Sequence, residues 1–379
     1  MSCRGWSSDA YWAARIVREL ERLGHQVALC CRAGAHARLL DRFREMGVNG
    51  LRPLFLRSGL RPRDDLADLR QLTAWLPGYD VVHVHRGKEH WLAALANRLS
   101  STPKPLVRTR HIVQAVRPHP ANRWLYSRAT DVVVTVTEAI RQQYLAAELL
   151  PPGRVVTLHG GVDLARFHPR VDGAPFRAAL GVLRAAPLVG MISGLRVMKG
   201  HQVVVQAAAI LRQQGLRPRF LFVGQGKAEP QIRAAIARAG LSGEITLAGF
   251  VSDLPRALAA MDAALYVPLE SDGMSRVIFE CLAAGRSLVA TRVGAVPEIL
   301  TDGRDALLVP AGDPEALASA LARLLGSPEL GRALGENGRE LLERRYSGAW
   351  VAARLTELYS SLAERQGLGG QRPGGRWRR

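Results

Sequence analysis

Residues 268–285 read PLESDGMSRVIFECLAAG, and their pattern joins a buried strand to a helix through a glycine turn. The apolar run DAALYVP (262–268) predicts the strand, and SRVIFECLAAG predicts a helix that ends at Gly285. Gly273 lets backbone approach a ligand closely. The free amides of Met274, Ser275 and Arg276 then sit at a helix N-terminus, where the helix dipole favours an anion such as a phosphate. Glu280, a turn and a half further on, is placed to accept hydrogen bonds from a pair of hydroxyls such as those of a ribose. Asp272 faces whatever is attached beyond the phosphates.

The same alternation of short apolar runs and amphipathic stretches extends over the whole chain. In the first half the runs are QVALCC (26–31), LRPLFL (51–56), YDVVHVH (79–85), PLVRTR (105–110), DVVVTV (131–136) and RVVTLH (154–159). In the second half they are PLVGMIS (187–193), FLFVG (220–224), EITLAG (244–249), AALYVP (263–268), SLVAT (287–291) and ALLVP (306–310). The expected fold class is α/β: two Rossmann-like, doubly wound domains, each binding ligands at the carboxyl ends of its strands. The glycines and prolines of HGGVDLARFHPRVDG (159–173) mark the boundary. The expected division is a first domain over 1–165, a second over 166–346, a helix over 347–365 and a disordered basic tail over 366–379. A doubly wound domain should open with a buried strand, yet CRGWSSDAYWAARIVREL enters a glycine loop and its helix almost at once. Either the starting methionine is wrongly chosen or the first N-terminal strand is missing. Gly5 can still line the ligand cleft.

The segment 268–285 resembles the nucleotide-sugar signature of retaining glycosyltransferase family 4. The common form there is Pro-Ser, a few residues, Glu-Gly-Phe-Gly, four residues, then Glu-Ala-Met-Ala-x-Gly. Here Asp272 replaces the first Glu, and Met274-Ser275-Arg276 replaces the Phe-Gly pair and its neighbour. The resemblance implies a GT-B fold whose two domains face each other across a cleft. It also implies that Glu280 binds ribose and that Asp272 lies against the donor sugar and its phosphates. HGGVDLARFHP resembles the family's linker, and the helix over 347–365 resembles one that crosses back to the first domain. SGLRVMKGH (193–201) is similar to the motif Gly-Arg-Leu-x-x-x-Lys-Gly. Lys199 is then a cation for the diphosphate, and Arg196 substitutes for the Arg whose usual position is Gly194. GFVSDLP (249–255) resembles the loop beside the base, with Val251 in contact, and GAVPEILTDGRDALLVPAGDPEAL (294–317) resembles the closing signature, with Glu298 near the donor pocket.

In the first domain, His111 follows the strand PLVRTR and corresponds to the family's acceptor-side histidine. The adjacent Arg108 and Arg110 can hold an anionic acceptor. His83, His85 and His90 read as structural. The expected chemistry is metal-independent, retaining transfer of a sugar from a nucleotide-diphospho-sugar to an acceptor hydroxyl, as in cell-envelope or lipopolysaccharide-type glycan synthesis. His111, Lys199 and Asp272 are the expected catalytic residues. No cofactor or metal is expected, since no Asp-x-Asp motif occurs. A sugar-nucleotide epimerase or phosphorylase on the same fold, or a catalytically impaired binding protein, is the alternative.

Composition narrows the remaining classes. The 379 residues suit two domains, and 47% hydrophobic content is enough to bury both cores. The longest apolar runs are far short of a membrane span, and no basic start precedes an apolar stretch. Cys3, Cys30, Cys31 and Cys281 have neither metal-ligand spacing nor a disulfide framework, so a reducing cytoplasm is expected. The net charge of +19 is spread: residues 1–165 hold 24 Lys and Arg against 14 Asp and Glu, and the last fifteen residues add five Arg. No nucleic-acid-binding motif accompanies it, so no nucleic-acid partner is expected. The expected partners are a nucleotide-sugar donor, a lipid-linked or glycan acceptor, and the anionic inner face of the cytoplasmic membrane.

Overall fold

A computed structural model describes all residues except 1, 3, 4, 6, 36, 49, 184, 272, 274 and 368–379, together with the backbone but not the side chain of Arg38. The chain forms two compact units. The first comprises residues up to Gly160 together with those from Gly348 onward, and the second comprises Gly161–Ser347.

The second unit is built on six parallel strands: β7 (Leu188–Ile192), β8 (Arg219–Val223), β9 (Ile245–Gly249), β10 (Ala263–Tyr266), β11 (Ser287–Thr291) and β12 (Leu307–Val309). Their spatial order is β12-β11-β10-β7-β8-β9. Strands added after β7 run outward in one direction and those from β10 in the other, so the order reverses between β7 and β10. This sheet is apolar on both faces because helices cover both. Along β7, Val189 and Met191 pack into one core and Leu188 and Ile192 into the other. Along β10, Ala263 and Leu265 divide from Ala264 and Tyr266 in the same way. Each fully buried Val, Leu or Phe contributes about 1.5–3 kcal/mol. The strands therefore carry the stability, and the loops at their ends can be shaped by function.

The first unit holds β1 (Leu29–Arg32), β2 (Leu51–Leu54), β3 (Val82–Val84), β4 (Leu106–Arg110), β5 (Val132–Thr135) and β6 (Val155–Thr157). All pair in parallel, but in two sheets, β1-β2 and β3-β4-β5-β6. In a doubly wound order one more strand belongs between β1 and β3. Among the described residues none pairs with both. The helix Ser8–Arg22 connects the two parts. Its Ala10, Ala13, Ala14 and Val17 pack with Leu29 and Leu39, while Trp12, Ile16 and Leu20 pack with Val107, Val132 and Val134. The helix Gly348–Arg365 lies in this second cluster through Val351, Ala352, Leu355 and Leu362. His25 Nε2 is 2.9 Å from Thr356 Oγ1, which ties the same helix to the chain just beyond Arg22.

Candidate active site

The donor motif sits at the switch point of the second sheet. Leu265 pairs with Met191, so the chain leaves β10 and β7 side by side. The two departing loops then pack on each other: the Leu269 amide donates to the Met198 carbonyl at 2.8 Å. Gly200 has φ +80°, and a Cβ there would collide with the Val267 carbonyl, so only glycine allows this approach. That contact fixes Lys199, which ends the 3₁₀ turn Val197–Lys199 and is 7% exposed. Arg196 precedes the turn and is exposed. Its Nε lies 4.0 Å from where a Cβ on Gly194 would stand, so its guanidinium fills space that a side chain at 194 would enter.

From the β10 loop the chain enters the helix Arg276–Ala283. Gly273 has φ +98°, a left-handed conformation that favours glycine. Ser275 is the N-cap, and its side chain makes no capping hydrogen bond. Glu280, in the second turn, is 2% exposed, with Oε1 3.5 Å from Arg276 Nε. Two neighbouring loops close on the same place. The Thr291 hydroxyl donates to the Pro268 carbonyl at 2.8 Å, and a Cβ on Gly294 would collide with Ser271 Oγ. Half-buried Glu298 follows in the short helix Val296–Ile299. On the other side the Gly224 amide donates to the Gly249 carbonyl at 2.8 Å, two residues before Val251, which packs on the core. The structure thus brings Arg196, Lys199, Gly273, Ser275, Arg276, Glu280, Glu298 and Val251 to the carboxyl ends of one sheet. Asp272 and Met274 lie outside the described residues. Gly5 belongs to the first unit.

In the first unit His111 follows β4 directly. Its Nε2 is 3.1 Å from His85 Nδ1, and the two rings stack at 5.4 Å. Trp12 presents its edge to His83, His85 and His111. His83 is fixed in turn by Tyr359 Oη at 2.5 Å and Thr109 Oγ1 at 2.6 Å. Burial is the main cause that lowers the His111 pKa to about 4, with Arg108, Arg86 and Arg110 adding to it and Asp9 opposing. Burial also takes His83 to about 3 and His85 well below its usual range. At neutral pH the cluster is therefore three uncharged imidazoles. Beside it, Arg86 grips buried Asp9 through Nε at 2.5 Å and Nη2 at 3.0 Å, and the Ser7 hydroxyl also donates to Asp9. Burial raises the Asp9 pKa, but Arg86 and Ser7 outweigh it and hold the carboxyl at about 2.

Sequence reasoning missed the His85–His111 contact and the Asp9–Arg86 pair. The first had a signal: His83 in β3 and His85 just beyond its end are two apart, the spacing that puts side chains on one side of an extended chain. The second had none, because the partners are 77 positions apart.

Two Rossmann-like α/β units are the architecture of the GT-B glycosyltransferases. A family model for group 1 glycosyl transferases matches residues 186–327, and one for Glycosyltransferase Family 4 matches residues 10–166. The chain belongs to glycosyltransferase family 4. It is 31% identical over 316 residues to a D-inositol 3-phosphate glycosyltransferase of Mycolicibacterium gilvum, covering 76% of this chain and 68% of that one. It is 30% identical over 289 residues to the lipopolysaccharide core biosynthesis mannosyltransferase LpcC of Rhizobium leguminosarum, covering 74% and 78%. The crystal structure of HepE of Anabaena in complex with UDP superposes with a TM-score of 0.81 at 19% identity, covering 95% of this chain and 98% of that one.

Proposed function

We propose that this glycosyltransferase moves a sugar, with retention and without a metal ion, from a nucleotide-diphospho-sugar on its second unit to an acceptor hydroxyl on its first. The observation that carries the reading is the convergence of Lys199, Gly273, Ser275 and Glu280 at the switch point. The helix N-terminus at Ser275 and the Lys199 ammonium oppose the charge that builds on the leaving diphosphate, and Arg196 adds a second cation. Arg276 shares Glu280 before the donor binds, and the ribose hydroxyls take that carboxylate over. Asp272, assigned from sequence alone, completes the sugar side. Neutral His111 can accept from the attacking hydroxyl, with His85 orienting its ring. The complex of HepE with UDP favours a nucleotide-sugar donor, and the name of the Rhizobium relative favours a role in cell-envelope glycan synthesis. Screening nucleotide sugars for thermal stabilisation, then following turnover in EDTA and the product anomer by NMR, tests each part. Stabilisation by no nucleotide sugar would overturn the reading.

The acceptor side works at an anionic membrane surface. No helix among the described residues is long and apolar enough to cross a membrane. The first unit instead exposes Leu60, at 84%, between the exposed Arg57, Arg61 and Arg63, with Phe55 also exposed. Each basic residue near anionic lipid is worth roughly 1 kcal/mol, decaying over a Debye length of about 8 Å at physiological salt. Binding to phosphatidylglycerol vesicles should fall steeply with salt and weaken in Leu60→Asp. Indifference to such vesicles at low salt would leave a soluble acceptor.

A further inference from the structure

The two faces of β4 differ in kind. Val107 packs in the apolar cluster with Trp12 and Val351, and Thr109 meets His83 on that same side. Strand alternation sends Arg108 and Arg110 to the opposite face. There Arg108 is 2% exposed, and neither its Nε nor its Nη1 has an acceptor. Glu89, a nearby buried acid, accepts at Oε1 from the backbone amides of Ser2 and Arg86, at 3.3 and 2.9 Å, and its Oε2 has no hydrogen-bond partner; its charge favours the Arg108 cation, but among the described residues no hydrogen bond or salt bridge joins the two. Arg110, two residues on and half-buried at the carboxyl end of the strand, gives Nη2 to the Gln114 carbonyl, while its buried Nε also lacks an acceptor. Tyr144 donates its hydroxyl to that of Tyr126 at 3.2 Å, so the Tyr126 proton is left to give elsewhere. Both rings are buried, and both phenols act electrostatically on Arg108.

A guanidinium taken out of water with no carboxylate in contact is unfavourable, and so is each N–H left without an acceptor. Several such donors on one face of one strand share one remedy, an oxyanion. Arg110 marks the way in, because ligands reach doubly wound sheets at the carboxyl ends of the strands, and Arg108 lies about 6–7 Å below it along the strand. We propose that Arg108, Arg110 and Tyr126 form an oxyanion site whose ligand is a phosphate group carried by the acceptor. Arg fits a phosphate with paired, parallel donors, whereas a neutral hydroxyl cannot neutralise the buried charge. The role of this phosphate in orienting the acceptor beside His111 rests on the transfer reaction proposed above. Binding of the anion does not.

The test is thermal denaturation of the full chain at constant ionic strength, with UDP saturating so that the donor site is filled. Inorganic phosphate, and separately glucose 1-phosphate, should raise the melting temperature above a chloride control. Arg110→Gln should weaken that response at least tenfold in phosphate concentration. Arg108→Met should abolish it and melt no lower than the parent without phosphate, because a buried cation whose Nε and Nη1 lack acceptors has been replaced by an apolar chain of similar length. Response to glucose 1-phosphate but not to inorganic phosphate supports a site shaped for the acceptor. Equal phosphate responses in the parent and Arg110→Gln, no response beyond chloride, or a large loss of stability in Arg108→Met would each overturn the proposal. Stabilisation by UDP alone should be the same in all three proteins. Its absence would count against the donor reading and leave the anion result standing.

Discussion

Glu280→Ala separates donor recognition from folding because the buried carboxylate stands in the second turn of the helix that opens at the proposed donor site. At 2% exposure it has given up its water, and its Oε1 lies 3.5 Å from Arg276 Nε. A charged hydrogen bond to a ribose hydroxyl is worth about 1.5–3 kcal/mol. Losing one such bond therefore raises Kd for a nucleoside diphosphate by a factor of roughly 10 to 150, and losing a pair raises it further. The effect on stability is smaller. The substitution opens a small void, but it releases a buried charge and replaces Glu with a slightly better helix former, so the net change is within about 1 kcal/mol. For a unit of this size that moves the melting temperature by about 2–4 °C. Glu280→Gln keeps the shape and retains a neutral acceptor, so its affinity should fall between the two. Calorimetric titration of a nucleoside diphosphate alongside thermal melts provides both numbers. A Kd within twofold of the parent, or a melting temperature lowered by more than about 10 °C with affinity intact, would show that Glu280 supports the helix and not the ribose.

Lys199→Ala should slow turnover by a factor on the order of a hundred or more, while EDTA leaves the parent enzyme active; activity lost in EDTA and restored by magnesium or manganese would reverse this. His111→Ala should reduce transfer strongly and leave nucleotide affinity unchanged, and a matching loss of affinity would move His111 to the donor side. Acid should destabilise the fold: burial holds His83 at about 3 and His111 and His201 at about 4, against about 6.5 when unfolded. Below pH 6.5 the unfolded chain binds protons that the folded one does not, so stability falls as pH drops toward 4. Denaturant titrations at pH 7, 6 and 5 should show this slope, with a smaller one in His83→Gln; a flat profile in the parent would contradict the buried, neutral cluster.

The second unit was legible in sequence because its site is made from local backbone. Gly200, Gly224, Gly273 and Gly294 all have φ in the left-handed half of the map or touch neighbouring backbone too closely for a Cβ. Such demands leave glycines at fixed distances from the groups they position, here Lys199 one place before Gly200 and Glu280 seven after Gly273. Each of the six strands of either unit coincides with one apolar run, β1 and β8 reaching one residue beyond it to Arg32 and Arg219 and most other ends trimmed by a residue or more because strand pairing stops where the loops turn away. The split of the first sheet between β1 and β3 follows from pairing across distant segments, and no local pattern reports it. Its site is built from side chains on the helix Ser8–Arg22, on β3 and on β4. Their sequence separations are set by the lengths of intervening helices, which carry no chemical signature. The sequence placed His111 after its strand, but its dependence on His85 and Trp12 emerged only from the packing.

That packing links the charge of the acceptor to the basicity of His111. Arg108, Arg86 and Arg110 all add to burial in lowering its pKa, and Asp9 opposes them. Asp9 exerts the largest single charge effect on the ring, and it is held in place by Arg86. A phosphate seated on Arg108 and Arg110 would cancel two of the three positive charges that act on the imidazole and add negative charge nearby. Both changes favour the protonated ring, so the pKa of His111 should rise from about 4 toward its ordinary range as the anion binds. The base then becomes stronger when a charged acceptor is present and stays weak, and unprotonated, when it is absent. Titrating the His111 ring by NMR with and without saturating inorganic phosphate measures the shift. Arg110→Gln should raise the phosphate-free value and shrink the response. A His111 pKa that phosphate leaves unchanged, in a protein shown to bind it, would mean that the anion site and the imidazole are electrostatically separate and that acceptor charge serves for affinity alone.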